Sequence, residues 1–175
     1  MLDLMGLDVS AKIQLHIGGL YGNPQESTAR FIRVYNHLDP AICRRLVIEN
    51  DDQRFNAADC LNIHEQTGMP VLFDVFHHSC KNNGEGIREM LLKIGKTWKN
   101  KDGIMMVDYS SQHPDKRPGG HAERIDINDF KRFLEISHPF DMDIMLEIKD
   151  KEASALAAVY LAKADPRFQK PLFSD

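Results

Sequence analysis

The amino-acid sequence predicts an α/β fold built on a parallel sheet, with a single domain over residues 1–175. Short apolar runs alternate with longer polar segments of helical periodicity, which is the arrangement of repeated βαβ units. The apolar runs are nearly continuous, as is typical of strands covered on both faces. No low-complexity segment or linker divides the chain into smaller domains.

Five strands and five helices are expected in alternation. The apolar runs that predict strands cover residues 12–19, 44–50, 70–78, 103–111 and 140–149. The helix-like segments cover residues 25–37, 56–67, 84–96, 126–136 and 150–163. Asn56 is of a residue type that caps helix N-termini, and Gly68 followed by Pro70 is expected to end the same helix.

Composition and charge exclude several classes of protein. No apolar run approaches the roughly 20 residues that cross a bilayer, so no membrane association is expected. The first residues lack the basic start and apolar stretch of a signal peptide, which predicts a cytoplasmic protein. The net charge of −4 argues against indiscriminate binding to nucleic acid. It does not exclude a local DNA groove, because basic residues cluster in 81–101 and 116–132; solvated helix faces are the alternative interpretation.

Each predicted strand ends in a side chain that can bind a metal ion. Active sites of parallel α/β sheets lie at the carboxyl ends of the strands, so these side chains are expected at one edge. Several buried carboxylates repel one another and need cations. Manganese, zinc or iron suits a mixed set of carboxylates and imidazoles better than calcium does. The side chains are His16, Glu49, Asp74 with His77, Asp108 and Glu147.

Each of these residues taken alone has a simpler explanation. A single acid at a strand end is most often a helix cap or the partner of a lysine. His16, on an apolar strand, can be a hydrogen-bonded core histidine. His77 and His78 are adjacent, so only one of them can face the site if both lie on a strand. The repetition over five strands is what favours a metal centre.

Five motifs resemble the strand-end motifs of the UV-damage endonuclease family, within the xylose-isomerase-like barrels. They lie in matching order between Lys12 and Glu152 and read LHIGGLYG, LVIENDD, VLFDVFHH, VDYSSQHPDKRPGGHAE and MLEIKDKE. The resemblance implies a partial (β/α)8 TIM barrel, with strands four to eight and their helices. The chain has 175 residues, whereas a complete barrel typically needs about 250. Family members use manganese-type ions to cut DNA on the 5′ side of UV photoproducts.

The resemblance implies a centre of two or three divalent ions, with manganese preferred and zinc or magnesium as alternatives. Some members carry His at the position of Asp108, and some carry a carboxylated lysine two residues earlier. That earlier position is Met106 here, so a lysine bridge is not expected. Asn50 is expected to support Glu49. The implied metal ligands are His16, Glu49, Asp74, His77, Asp108, His121 and Glu147.

The resemblance also implies catalytic and DNA-binding residues. Lys149 matches a strand-eight lysine that can contact a phosphate or leaving oxygen, and Glu49 is expected to act with it in catalysis. Gln112, Lys116 and Arg117 follow strand seven, where contacts to the DNA backbone are useful. Strands one to three would be missing. A separate N-terminal half-barrel, or self-association, would then cover the open edges of the sheet.

The predicted function is a metal-dependent DNA repair endonuclease, here as a fragment or truncated homologue. Its expected substrate is double-stranded DNA that carries pyrimidine dimers or 6-4 photoproducts. Two alternatives remain open. One is another metal barrel of the same group, such as an apurinic-site endonuclease or a sugar isomerase, although the basic loops argue against an isomerase. The other is an inactive metal-binding remnant, which the intact set of ligands argues against.

Overall fold

The computed structural model describes residues 1–169, in which five strands form one sheet in chain order. Every pair of neighbouring strands is parallel. The predicted α/β fold with a parallel sheet is therefore confirmed. The strands are β1 (Ile13–Leu15), β2 (Leu46–Glu49), β3 (Val71–Asp74), β4 (Met106–Tyr109) and β5 (Asp143–Leu146).

Helices connect the strands, and all five predicted helices are present with small shifts at their ends. The largest shift is in the third of them, which begins at Ile87 rather than at residue 84. Within residues 1–169, none of the helices combines the length and apolarity needed to cross a bilayer. The helices are α1 (Pro24–Tyr35), α2 (Pro40–Cys43), α3 (Ala57–Thr67), α4 (Val75–Cys80), α5 (Ile87–Gly95), α6 (Ile127–Ile136) and α7 (Glu152–Ala162), with a 3-10 turn at Asn100–Asp102.

The predicted strand over residues 70–78 is wrong in its second half. The strand ends at Asp74, and the following residues form helix α4. Asp74 caps this helix, since its Oδ1 accepts a hydrogen bond from the backbone N–H of His77 at 2.8 Å. A short apolar run does not distinguish a buried strand from a buried helical turn. The side chains of His77 and His78 therefore point in different directions because the two residues are neighbours on a helix rather than on a strand.

The central strands are buried, whereas the two outer strands are partly exposed. Strands β2 and β3 consist entirely of buried residues, and β4 is buried beyond its first residue. On the outer strands, Ile13 of β1 is 48% exposed and Met145 of β5 is 45% exposed. Within residues 1–169 neither outer strand pairs with a further strand, so the sheet has two open edges.

One hydrogen bond demonstrates that the sheet is strongly curled. Gln14 on β1 donates from Nε2 to Oδ2 of Asp108 on β4 at 2.8 Å, although two strands lie between them. Neighbouring strands are about 4.8 Å apart, so a flat sheet would separate β1 from β4 by roughly 14 Å. The side chains meet because the sheet bends around them. The fold is a five-stranded half-barrel, which confirms the predicted partial (β/α)8 barrel.

Helix α3 begins and ends at the residues that the sequence indicates. Asn56 Oδ1 accepts from the backbone N–H of Asp59 at 3.1 Å, and Asp59 Oδ2 accepts from that of Asn56 at 2.9 Å. Gly68 ends the helix with a φ of 70°, a left-handed conformation that suits glycine. The Asn56 amide also donates to Asn83 Oδ1 at 3.0 Å and so connects α3 to the loop before α5.

Replacing Asn56 by alanine should lower the free energy of unfolding by about 1–2 kcal/mol, because the first turn of α3 loses its cap. Urea denaturation followed by circular dichroism measures this difference. Glu65→Ala, at an exposed position of the same helix, is the control and should stay within about 0.5 kcal/mol of the unmodified chain. Equal effects of the two substitutions would show that the cap contributes nothing specific.

Candidate metal centre

Three side chains form a compact group at the carboxyl end of the sheet. Glu49 ends β2, Asp74 ends β3, and His77 lies in the first turn of α4. One possible ligand atom from each lies within 4.8 Å of the others. The Nδ1 atom of His77 is 3.5 Å from Glu49 Oε1 and 3.0 Å from Asp74 Oδ2. The side chains of Glu49, Asp74 and His77 are 3%, 1% and 12% exposed, so water has little access to this group.

Two further histidines lie beside this group. His16 directly follows β1, and its Nε2 atom is 3.6 Å from Glu49 Oε2. The ring centroid of His77 lies 5.9 Å from that of His16 and 6.1 Å from that of His121. His121 Nδ1 is 2.8 Å from the hydroxyl oxygen of Ser110, a contact that orients the His121 ring. The three imidazoles thus gather at one end of the half-barrel.

Asp108 brings a third buried carboxylate into the interior. It lies on β4 opposite Asp74 in the strand register and is fully buried. Its Oδ2 accepts the hydrogen bond from Gln14, whose Nε2 also donates to Glu49 Oε2 at 3.2 Å. Its Oδ1 has no hydrogen-bond partner among residues 1–169. A buried polar atom without a partner is costly, and a cation would supply the missing interaction.

Glu147 lies close enough to act on the same carboxylates, whereas Lys149 points to a different acid. The charge of Glu147 contributes to raising the pKa of both Asp74 and Asp108. Lys149 Nζ donates to Glu123 Oε1 at 2.6 Å. The predicted catalytic lysine is therefore engaged at the rim of the site, outside the buried group of carboxylates and histidines.

The three predicted DNA-binding residues lie in the loop after β4, and Gln112 holds this loop closed. Gln112 Nε2 donates to three carbonyl oxygens of the loop at 2.8 to 3.2 Å, and its Oε1 accepts from the N–H of Gly119 at 3.1 Å. Lys116 and Arg117 are exposed, and Lys116 Nζ is 3.9 Å from Glu123 Oε1. Gln112 thus shapes the loop, while the two basic side chains face solvent.

The carboxylates are crowded and desolvated, and their pKa values reflect both effects. Burial raises the pKa of Asp74 to about 7. Burial, followed by the charges of Glu49 and Asp74, raises the pKa of Asp108 to about 8. For His77, burial acts to lower the pKa, but the hydrogen bond with Glu49 and the charge of Asp74 outweigh it and raise the pKa to about 9. Negative charge is therefore in excess at this end of the sheet.

These properties fit divalent metal ions. Carboxylate oxygens with imidazole nitrogens are ligands of manganese, zinc and iron. Within residues 1–169, Glu49 and Asp74 form ion pairs only with histidines, so no lysine or arginine compensates for them. The partnerless oxygen of Asp108 and its raised pKa both indicate charge that a cation would neutralise.

Two amides position the carboxylates, and the sequence indicated their roles only in part. Gln14 was not predicted, although it lies two residues before His16 and strand alternation places both on one face. Asn50 was expected to support Glu49. Instead, its Nδ2 donates to the carbonyl of Asp74 at 2.9 Å and its Oδ1 accepts from the N–H of Asp74 at 3.0 Å. Asn50 therefore fixes the end of β3.

Comparison with known proteins identifies relatives over nearly the whole chain. The family model described as UV-endonuclease UvdE matches residues 1–167. The UV DNA damage endonuclease of Clostridium perfringens is 39% identical over 160 residues, which cover 90% of this chain and 39% of that protein. The UV DNA damage endonuclease of Bacillus cereus is 35% identical over 164 residues, which cover 91% of this chain and 51% of that protein.

A solved structure supports the same relationship. The crystal structure of SacUVDE superposes with a TM-score of 0.85 at 47% sequence identity and covers 93% of this chain and 54% of that chain. The chain thus spans about half of the solved relative and of the Bacillus cereus protein, and 39% of the Clostridium perfringens protein. Since the family model matches residues 1–167, the chain belongs to the UvdE family of UV endonucleases.

Proposed function

We propose that this chain carries the metal-binding half of a metal-dependent DNA repair endonuclease, which nicks the strand on the 5′ side of UV photoproducts. The observation that supports this most strongly is the buried group of Glu49, Asp74 and His77. The relatives bear the name UV DNA damage endonuclease. The substrate would be double-stranded DNA with pyrimidine dimers or 6-4 photoproducts, and the protein would act in the cytoplasm.

The site is proposed to hold two or three divalent ions, with manganese preferred over zinc or magnesium. When bound, such ions supply positive charge and Lewis acidity for phosphodiester hydrolysis. The chain contributes an interior with little access to water, in which electrostatic interactions are strong. The side-chain amides of Gln14 and Asn50 keep the carboxylates in place. The proposed ligands are His16, Glu49, Asp74, His77, Asp108, His121 and Glu147.

Glu49 and Lys149 are proposed to act in catalysis, Glu49 from the buried part of the site and Lys149 from its exposed rim. Glu49 is buried and lies between His16 and His77, so its carboxylate orients the ligand group. Lys149 is exposed at the rim, where a phosphate oxygen of DNA can replace Glu123 as its partner. This exchange costs little, because water weakens an ion pair at an exposed position.

The loop after β4 is proposed to bind the DNA backbone. Lys116 and Arg117 are exposed on this loop and carry the charge that attracts phosphates. Gln112 contributes indirectly, since its amide already bonds to the loop backbone and keeps the two basic residues in position. Lys116 also lies near Glu123, which would release Lys116 and Lys149 together when DNA binds.

Cleavage is proposed to require three further (β/α) units. The half-barrel has five strands with open edges at β1 and β5, and an eight-stranded barrel needs three more to join them. Ile13 and Met145, on the two edge strands, are each nearly half exposed. The matched relatives are about twice as long or longer, which supports this requirement. Self-association of the chain is the alternative way to cover the edges.

Cleavage assays should distinguish this function from its rivals. The chain would be tested with Mn²⁺ on UV-irradiated, abasic and undamaged duplexes. Each assay would be repeated after adding the region of the Bacillus cereus relative that this chain does not match. We expect nicks only on the 5′ side of photoproducts, and only in the complemented mixture. Cleavage of the abasic duplex alone would favour an apurinic-site endonuclease. A chain that binds metal but leaves every duplex intact would be a remnant.

Replacing Glu49 by glutamine should remove one ligand charge at constant volume. We expect at least about a tenfold loss of manganese affinity with an unchanged circular dichroism spectrum. Metal content after dialysis, determined by mass spectrometry, gives the readout. Lys131→Ala, at an exposed position of α6, is the control and should retain the full metal content. Undiminished manganese binding by the Glu49 variant would refute the proposed site.

In the presence of a chelator, the chain should be less stable at pH 8 than at pH 5.5. The pKa values of Asp74, Asp108 and His77, about 7, 8 and 9, lie above their ordinary values of 3.8, 3.8 and 6.5. The folded state therefore binds more protons than the unfolded state in this range, and stability falls as pH rises. The decrease should exceed about 1.4 kcal/mol, the equivalent of one pKa unit.

Manganese should reverse this trend, because metal ions displace the protons that the ligands hold. Thermal unfolding with and without Mn²⁺ at the two pH values measures the effect, and the metal-induced rise in midpoint should be larger at pH 8. A chelated chain that grows more stable toward pH 8 would contradict the proposed excess of negative charge.

A further inference from the structure

The loop between β1 and α1 holds an exposed tyrosine in an unfavourable backbone conformation. Tyr21 has a φ of 46°, in the left-handed region that bulky residues rarely adopt. Within residues 1–169, Lys151 is the only other non-glycine residue with a positive φ. The Tyr21 side chain is 81% exposed. Strained residues of this kind concentrate at functional sites, since the surrounding structure must maintain them.

The exposure of Tyr21 does not result from a loose loop. Ser27, which is 1% exposed, bonds through its hydroxyl to the carbonyls of Gly19 and Leu20 at 2.9 and 2.7 Å. The N–H of Asn23 donates to the same carbonyl of Leu20 at 3.0 Å. Leu20 packs against the hydrophobic core. The residues on both sides of Tyr21 are therefore fixed, and its ring remains exposed in a loop that is held in place.

Arg30 lies over the Tyr21 ring. The Cζ atom of Arg30 is 4.8 Å from the ring centroid, a cation–π distance. Its Nη2 atom donates to the Ser27 hydroxyl at 3.3 Å, so the guanidinium is held by the same side chain that fixes the loop. The pair combines an exposed aromatic surface with a positive charge beside it.

This pair lies at the edge of the sheet that carries the metal centre. The loop starts at His16, whose Nε2 is 3.6 Å from Glu49 Oε2, and it follows the carboxyl end of β1. The other aromatics near the strand ends cannot serve the same purpose, because they are buried. Phe73, Phe76 and Tyr109 are 0%, 4% and 2% exposed.

We propose that Tyr21 and Arg30 form a stacking site for a nucleobase of the DNA that is bound at the metal centre. An aromatic ring stacks on any base through its π face, and a neighbouring arginine strengthens the contact and attracts the phosphates. The base must be free of its own duplex stack, and damaged or unpaired positions provide such bases at the lowest cost. This inference rests on the proposed function and adds a specific base contact to it.

Binding measurements with matched variants test the stacking site. Tyr21→Gly is the main variant, because glycine accepts the positive φ and should preserve or raise stability while removing the ring. Tyr21→Phe keeps the ring without the hydroxyl. Tyr160→Ala is the matched control, since Tyr160 is also 81% exposed but lies on α7. Thermal unfolding and manganese content would be compared in all four proteins.

The probe is a duplex with two unpaired nucleotides, one of which is 2-aminopurine, at a fixed low salt concentration. Tyr21→Gly should weaken binding about tenfold, within the range for loss of one base–aromatic stack. Tyr21→Phe and Tyr160→Ala should bind as the unmodified chain does. The 2-aminopurine fluorescence should be quenched by the unmodified chain and by Tyr21→Phe, and not by Tyr21→Gly. A fully paired duplex should not distinguish the variants.

The outcomes separate this inference from the proposed function. If the unmodified chain binds DNA but Tyr21→Gly binds equally well and quenches equally, the stacking site is refuted and the proposed function stands. If the unmodified chain binds neither duplex even when it is complemented as in the cleavage assay, both are refuted. If Tyr21→Gly loses affinity for paired and unpaired duplexes alike, Tyr21 contacts the backbone and the stacking assignment is wrong.

Discussion

Negative charge buried at the carboxyl end of the half-barrel is the constraint on which the site depends. Glu49, Asp74 and Asp108 lie on three adjacent strands and are almost completely removed from water. Carboxylates in such a setting must share protons, accept hydrogen bonds or bind cations. The structure provides the hydrogen bonds through Gln14, whose amide reaches two of the three acids. Burial, together with the charge that remains, raises the pKa values of Asp74 and Asp108 and supports the affinity for metal ions that we propose.

Much of the fold and the general location of the site follow from the sequence, because they depend on periodicity. Strands buried on both faces give continuous apolar runs, and an acid that ends such a run is conspicuous. Details that depend on distant contacts were not predictable. The Gln14–Asp108 hydrogen bond exists only because the sheet curls. Helix α4 was not predicted, because Asp74 is both the last residue of a strand and the N-cap of the helix that follows it. Nor does any local pattern reveal the positive φ of Tyr21.

The central strands and the edge strands of the half-barrel differ in how completely they are paired. Strands β2, β3 and β4 are complete, with neighbours on both sides and buried residues throughout most of their length. They also carry the three buried carboxylates. His16 directly follows the edge strand β1, and Glu147 directly follows the edge strand β5. The three buried carboxylates of the candidate site therefore lie on strands that are paired on both sides, whereas His16 and Glu147 lie next to the open edges.

Asp74 combines two tasks in one carboxylate. Its Oδ1 accepts the N–H of His77 at the start of α4, and its Oδ2 lies 3.0 Å from the His77 imidazole. The first turn of the helix and the orientation of the His77 imidazole are thus secured by the same group. A substitution at Asp74 would therefore weaken the first turn of α4 and loosen the His77 ring at the same time, so the fold and the candidate site are coupled at this residue.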